Sequence, residues 1–355
     1  MKKVKNYSIG VIAGDGIGPE VIREGLKVLK AVAELEGFKY ELVHYPWSCQ
    51  HYLETGVLMP ESILDEYREL DAIYLGAVGD PRVEPGLVER AVIFGLRQGL
   101  DLYINLRPIK LYAKHLCPLK DKGPEDVDMV VVRENTQGGY AGLGGIFQKG
   151  TPDEIAVVEM VYTRKGTERA IRYAFELAKQ RNKQHRVTLV DKANALRPQD
   201  LWTRTFAEVG EEYPDIEQDH AYVDAACMWM VKNPEWFDVI VTTNLFGDII
   251  TDLGAMIQGG MGIAASGNIH PGQTSMFEPI HGSAPKYGGK NVASPMGAIA
   301  ALAMMLEYLG EKKAARRIEG AIERLLVSRR VPSLDARSGL STTEIGDMVV
   351  EEVRR

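Results

Sequence analysis

The sequence predicts an α/β protein with mixed, largely parallel sheets in two domains, and three observations carry that reading. Apolar strand-like runs alternate with helical patterns along the chain, which is the mark of strand–helix–strand construction. The chain has 355 residues, enough for about two domains. With 45% hydrophobic and 26% charged residues it has an ordinary globular composition, so it can bury a core without disulfides. Intrinsic disorder, a collagen-like fibre and a mini-protein scaffold are excluded.

Tyr7–Ala13 is predicted as the first strand. A helix follows from Pro19 to Leu35, with proline in the first turn, where its missing N–H costs nothing. Phe38–Tyr45 is the second strand, and Ala72–Leu75 is a short buried one that stops at Gly76. Further strands are predicted at Met129–Arg133, Ala156–Tyr162, Val187–Asp191 and Val239–Thr243. Each is rich in β-branched or large apolar residues beside a turn signal. Helical periodicity marks Lys165–Gln180, Pro198–Val209, Asp248–Gln258, Pro295–Leu309 and Ala314–Val327. Met304 and Met305 lie on a periodic helix and are read as core. Two glycine-containing stretches lack periodicity. Gly138–Gly150 is placed outside the main sheet, and Gly259–Gly288 is read as a long functional loop.

The charge balance narrows the function. Lys and Arg number 42 against 49 Asp and Glu, a net charge of −7, which disfavours a nucleic-acid partner. A local arginine cluster can still outweigh that sign for a small anionic substrate. Cys49, Cys117 and Cys227 are few, odd in number and irregularly spaced, so free thiols in a reducing compartment are expected. The basic N-terminus leads straight into a strand and a glycine turn, not a signal peptide. No apolar run reaches membrane-spanning length. The expectation is a soluble, cytoplasmic protein with no membrane partner.

Gly14-Asp15-Gly16-Ile17-Gly18-Pro19 follows the first strand, but its spacing departs from G-x-G-x-x-G and proline follows the last glycine. A tight strand-to-helix turn explains it as well as a phosphate cradle does. Arg97, Arg107 and Arg133 each sit at the end or edge of a predicted element. Converging on one cleft they would clamp a di- or tricarboxylate, and singly each also fits a solvated surface role. Asp248 and Asp252 lie four apart at the start of a predicted helix and share a face, with Asp224 a candidate third acid. Mg²⁺ or Mn²⁺ would relieve their repulsion, and complementing the helix dipole is the alternative for Asp248. Tyr140, in a glycine-rich loop, is a candidate proton donor. Lys192, at a strand end, is a candidate base. Each also fits a surface or packing role. His281 opens a loop of small residues, HGSAP, that a cofactor could approach closely.

These residues resemble a known family. GDGIGPE at Gly14, GAVGDP at Gly76, NLRP at Asn105, VVRENTQGGY at Val131, NLFGDIITDLG at Asn244 and FEPIHGSAP at Phe277 are similar to blocks of the β-decarboxylating dehydrogenases. That family includes enzymes of 3-isopropylmalate, isocitrate, homoisocitrate and tartrate or D-malate. The resemblance implies the isopropylmalate/isocitrate dehydrogenase-like fold, which is not the Rossmann fold. It implies a first domain of residues 1–102 plus 262–355 and an inserted second domain of 103–261, with a clasping arm at about 138–162. It also implies oxidation of a 2-hydroxy acid by hydride transfer to a nicotinamide, followed by loss of CO₂ from C3.

By the same resemblance Arg97, Arg107 and Arg133 hold substrate carboxylates, and Asp224, Asp248 and Asp252 hold Mg²⁺ or Mn²⁺. Lys192 is the base, Tyr140 the acid, and Asn194 lies near substrate and nicotinamide. The cofactor set is Ile12, Glu278, His281, Gly282, Ser283, Ala284, Pro285, Lys286, Tyr287 and Ser294. Lys192 and one metal aspartate are expected to cross between subunits of a homodimer. A non-catalytic regulatory subunit should have lost such residues, and all of them are present here.

Substrate choice within the family turns on the helix before Arg97. Isocitrate enzymes place serine and asparagine at the positions of Ala91 and Ile93, and homoisocitrate enzymes place arginine where Phe94 stands. Apolar residues here cannot compensate an extra carboxylate but suit an isopropyl group. The resemblance therefore favours 3-isopropylmalate and leucine synthesis, ahead of tartrate or D-malate. NAD is the expected cofactor. NADP is the rival, because Lys286-Tyr287 replaces the usual aspartate and would attract a 2′-phosphate, with Arg329, Arg330 or Arg337 as further candidates.

Overall fold

The structure is a computed structural model and describes residues 5–336 and 338–355, so the candidate Arg337 lies outside the described residues. The chain divides into two compact units. The first holds the described residues within Met1–Leu102, Lys110–Pro124 and Ala255–Arg355, and the second holds Tyr103–Ile109 and Glu125–Gly254. The expected division ran from 103 to 261, whereas residues 110–124 and 255–261 cluster with the first unit.

The first unit begins with β1 (Asn6–Gly14), α1 (Gly18–Glu36), β2 (Lys39–Tyr45), α2 (Cys49–Thr55), α3 (Leu64–Arg68) and β3 (Ala72–Ala77). Next come α4 (Leu87–Glu89), a π-helical turn at Arg90–Phe94, and α5 (Gly95–Gly99). The second unit carries β4 (Ile104–Lys110), β5 (Asp128–Glu134), β6 (Gly144–Phe147), β7 (Ile155–Val158), α6 (Arg164–Arg181) and β8 (Arg186–Asp191). It continues through α7 (Asp200–Gly210), β9 (Glu217–Tyr222), α8 (Val223–Lys232), β10 (Val239–Thr242) and α9 (Asn244–Ile257). The chain returns to the first unit with β11 (Ala265–Ile269), β12 (Ser275–Pro279), α10 (Met296–Tyr308), α11 (Lys312–Val327) and α12 (Thr342–Val353).

Strands of the first unit run in the order β2-β1-β3-β12-β11. The first four pair in parallel and β11 pairs antiparallel to β12. Both faces of β3 are covered, so every one of its residues is buried and its sequence is continuously apolar. α10 is apolar nearly all round for the same reason, with α1 and α11 packed on it and α12 packed on those two. Met305 is fully buried there, with Met304 at its edge. α12 starts on a capping box, in which Ser341 and Glu344 satisfy each other's backbone N–H groups.

In the second unit the order is β4-β5-β10-β8-β9, with β5, β10, β8 and β9 pairing in parallel. β6 and β7 form a separate antiparallel ribbon, closed at its base by a bridge between Gly138 and Val161. The glycine-dense stretch thus lies outside the main sheet. The strand expected at Ala156–Tyr162 is cut to Ile155–Val158, because that ribbon has no second face to bury against. The stretch Gly259–Gly288 is not one long loop: it contains β11 and β12, whose small and polar residues hide the strand period. Among the described residues no helix is long and apolar enough to cross a membrane.

Candidate active site

Strand ends and the helices after them position the polar residues of the second unit. Arg107 stands in β4 and Arg133 next to the end of β5, both buried. α9 begins two residues after β10, so Asp248 and Asp252 project one turn apart from a helix at a strand end. Arg133 passes this helix at Gly247, where a β-carbon would come 2.5 Å from the Arg133 Cγ. Only glycine leaves room for the guanidinium to reach the acids.

Arg133 donates from Nη1 to Asp248 Oδ1 at 2.6 Å, and from Nε and Nη2 to Asn244 Oδ1 at 3.0 and 2.7 Å. Arg107 Nη1 stands 3.4 Å from the same Asp248 oxygen and donates to Thr251 Oγ1 at 2.6 Å. The Tyr140 hydroxyl donates to Asp248 Oδ2 at 3.0 Å. Burial, then the Asp248 charge, pushes the Tyr140 phenol above its ordinary range, so it keeps its proton at neutral pH. Burial likewise raises the Asp252 carboxyl. Arg107 opposes that shift, and the charge of Asp248 adds to it. Two arginines, a proton-bearing tyrosine and two carboxylates therefore converge in one place.

Lys192 and Asp224 form a separate pair. Lys192, just past β8, donates from Nζ to Asp224 Oδ1 at 2.6 Å and stands 5.8 Å from the Tyr222 ring centre. The lysine holds the Asp224 carboxyl below the usual carboxylate range. Asn194 is exposed in the turn after Lys192. Asp191 is fully buried beside them, accepting from the Ala193 N–H at 3.0 Å and facing His220 Nε2 at 3.1 Å. Among the described residues no three His, Cys, Asp or Glu side chains group as a metal site. The expected set of three acids is divided within the chain, Asp248 with Asp252 and Asp224 with Lys192.

In the first unit Arg97 is buried on α5 and bonds Glu278 Oε1 from Nη2 at 3.1 Å. Glu278 also accepts from Asn268 Nδ2 at 2.7 Å. Arg97 Nε is buried with no hydrogen-bond partner, an orphaned donor of the kind a carboxylate ligand would satisfy. Ile93 and Phe94 lie in the π-helical turn, a feature with no sequence signal that tends to occur at functional sites. Ile93 packs against the first unit's apolar cluster, and the Phe94 ring centre is 5.7 Å from the Arg97 guanidinium.

The loop from His281 to Tyr287 rests on the first glycine turn. Ile17 N donates to Ser283 O at 2.9 Å, and Gly16, at φ +59°, lets that carbonyl approach where a β-carbon would meet it at 2.0 Å. The Gly14–Gly18 turn therefore serves as a seat for the HGSAP loop. His281 Nδ1 donates to Gly282 O at 3.1 Å, which leaves Nε2 as an acceptor, buried and without a partner. Burial also lowers the His281 pKa, keeping the ring neutral. A β-carbon on exposed Gly282 would meet nothing within 4 Å, so open space lies over this peptide.

Ala284 adopts φ +41° before the turn Pro285–Tyr287, where the Lys286 ammonium lies 4.7 Å from the Tyr287 ring centre. Ser294 is buried and donates to Gly262 O at 3.1 Å. Ile12 is fully buried in the apolar cluster with Ile73, Leu75 and Met276, so the structure does not bring its side chain to the loop's open side. Arg330 is paired with Glu351 and Glu352. Asn244, Thr251 and the Asp191–His220 pair went unread in sequence, although Asn244 is the first residue of the NLFGD block.

Residues 8–349 match the family described as Isocitrate/isopropylmalate dehydrogenase. The chain belongs to that family. It is 49% identical over 354 residues to a 3-isopropylmalate dehydrogenase of Thermobifida fusca, covering 98% of both chains. It is 47% identical over 350 residues to a 3-isopropylmalate dehydrogenase of Corynebacterium glutamicum, covering 98% of this chain and 99% of that one. Among solved structures, isocitrate dehydrogenase from Methylococcus capsulatus superposes with a TM-score of 0.88 at 38% identity, covering 98% of this chain and 100% of that one. The TT0538 protein of Thermus thermophilus gives 0.86 at 35% identity, covering 98% of this chain and 68% of that one. The mixed α/β architecture of this dehydrogenase family is the fold the sequence predicted.

Proposed function

We propose that this chain is a 3-isopropylmalate dehydrogenase, oxidising the C2 hydroxyl of its substrate and releasing the C3 carboxylate as CO₂ to give 4-methyl-2-oxopentanoate in leucine synthesis. The observation that carries this reading is identity of 47–49% over nearly the whole chain to relatives of that name. The apolar Ile93 and Phe94 beside Arg97 support it, since a third carboxylate would find no partner on them.

Arg107 and Arg133 would bind carboxylates through paired N–H bonds, and Arg97 would offer its orphaned Nε. Asp248 and Asp252 fit a hard divalent cation: they are like-charged oxygen donors one turn apart, and the Asp248 side chain is 40% exposed. The buried Nε2 acceptor of His281 and the open peptide at Gly282 fit a nicotinamide dinucleotide, NAD by preference. A nicotinamide held there would supply the hydride acceptor, and a divalent cation held by Asp248 and Asp252 would supply positive charge to polarise the C2 oxygen. Lys192 takes the C2 hydroxyl proton. Tyr140, held protonated, returns a proton to the enol carbon.

The active unit we propose is a homodimer, in which Lys192 and Asp224 serve the partner's acids. Its support is the separation of the two half-sets together with exposed apolar residues on the ribbon and on α8 and α9, among them Phe147, Val158, Met228 and Ile249. Initial rates of nicotinamide reduction with Mn²⁺ test the substrate. Three buried carbons at about 0.8 kcal/mol each give 3-isopropylmalate a kcat/KM advantage of about fiftyfold over D-malate. Equal or better turnover of D-malate would reassign the chain to that branch.

A further inference from the structure

The first unit carries a second polar concavity that shares no residue with the site above. It is a shallow, open depression of about 640 Å³. Its rim is built by α11, the end of α1 and the chain's last residues. Lys313, Arg316, Arg317, Arg324 and Arg355 line it against only Glu36 and Glu352, a side-chain excess of three positive charges. That excess stands out on a chain whose net charge is −7.

The existing ion pairs explain part of this cluster. Arg317 Nε pairs with Glu36 at 3.0 Å. Glu352, with its side chain 4% exposed, receives Arg324 at 3.0 Å and Arg355 at 2.7 Å. With Arg330 at 2.5 Å as well, one buried carboxylate holds three guanidiniums, and Glu351 shares two of them, Arg330 and Arg355. Lys313 and Arg316 are exposed, and among the described residues no ion pair accounts for them. They also stand in the first two turns of α11, whose first turn carries no acid and where cations oppose the helix dipole. The helix dipole disfavours that placement, whereas an anion in the concavity would gain from every cation around it.

We propose that this concavity binds a polyphosphate, recognised through its phosphate oxygens. Planar guanidinium forks match phosphate oxygens in pairs, and the exposed Lys313 supplies a point charge beside them. No aromatic side chain lines the concavity, so a nucleobase would find no stacking platform.

Isothermal titration of the full-length protein with inorganic tripolyphosphate, and separately with ATP, tests this at low ionic strength, where such contacts are least screened. The expected result is one site per chain with similar affinity for both. The Lys313→Glu/Arg316→Glu double variant should weaken binding at least about tenfold without lowering the melting temperature or the dehydrogenase rates. The milder Arg316→Ala variant should weaken it in the same direction. A Lys286→Ala variant should bind as the parent does. Absence of binding overturns the proposal. So does affinity that survives the double variant, or that falls with Lys286→Ala, since the phosphates would then sit elsewhere. A tenfold preference for ATP would overturn recognition through phosphate alone.

Discussion

Lys192 Nζ bonds Asp224 Oδ1 at 2.6 Å, while Asp248 is held by Arg133 and Tyr140. One chain therefore presents the proposed base and the proposed acid in two separate clusters. If the active unit is a homodimer, mixing two inactive proteins should recover activity. Lys192→Met and Asp248→Asn, unfolded and refolded together, give hybrids in which one of two sites carries both lesions and the other none. About a quarter of the parental activity is expected from statistical pairing. No recovery, with hybrids confirmed by mass, would place the whole site within one chain.

Arg97 offers a second test, because its Nε is buried without a partner while Nη2 is spent on Glu278. A substrate carboxylate bonded there is worth about 1.5–3 kcal/mol. Arg97→Met should then lower kcat/KM about tenfold to a hundredfold, mainly through KM. A Glu278→Gln control should retain more activity, since it leaves the guanidinium in place. Unchanged KM in Arg97→Met would remove this arginine from the substrate site.

Legibility in the sequence followed burial. β3, β5, β8 and β10 are apolar because both faces are covered, and their runs announced them. β9, reading Glu-Gln-Asp-His-Ala-Tyr, lies at the end of its sheet with nearly all its side chains exposed, and no period-2 apolar pattern marks it. β11 and β12 failed for the opposite reason, because Ser266, Asn268, Ser275 and Glu278 are polar yet buried. At the site, residue types and spacing pointed to Asp248 and Asp252 sharing a face. That Arg133 crosses the helix at Gly247, and that Arg90–Phe94 forms a π-helical turn, depend on contacts distant in sequence, which no local pattern encodes.

Gly16 makes the HGSAP loop testable. Gly16→Ala would combine φ +59° with a β-carbon 2.0 Å from the Ser283 carbonyl, so the loop must lift from its seat. The left-handed conformation alone costs about 1–2 kcal/mol. A melting temperature lowered by several degrees and a cofactor KM raised more than the substrate KM are expected. A uniform loss of stability with unchanged cofactor KM would make the contact structural only.

Lys286 gives a test of the proposed cofactor preference. It is exposed and beside Tyr287, where a carboxylate would accept hydrogen bonds from a ribose diol and an ammonium cannot. Lys286→Asp should raise the NAD to NADP ratio of kcat/KM about tenfold, one charge-assisted bond gained on one side and lost on the other. A ratio unmoved by this substitution would show that the adenosine ribose lies away from this turn.

The Asp191–His220 pair predicts a pH dependence of stability with a definite sign. Bonding to buried Asp191 is the main cause raising the His220 pKa, against some lowering by burial. The folded state therefore binds a proton that the unfolded chain, titrating near pH 6.5, releases earlier. The resulting stability is present below about pH 6.5 and is lost as pH rises through the folded value. With the His220 side chain 37% exposed, solvent screening keeps this contribution to about 1 kcal/mol or less. Urea midpoints of the parent and of His220→Gln, taken at about pH 5.5 and 8.5, should differ more at the lower pH. A gap that is equal at both values, or wider at the higher one, would mean that the imidazole stays neutral and serves Asp191 only as a hydrogen-bond donor.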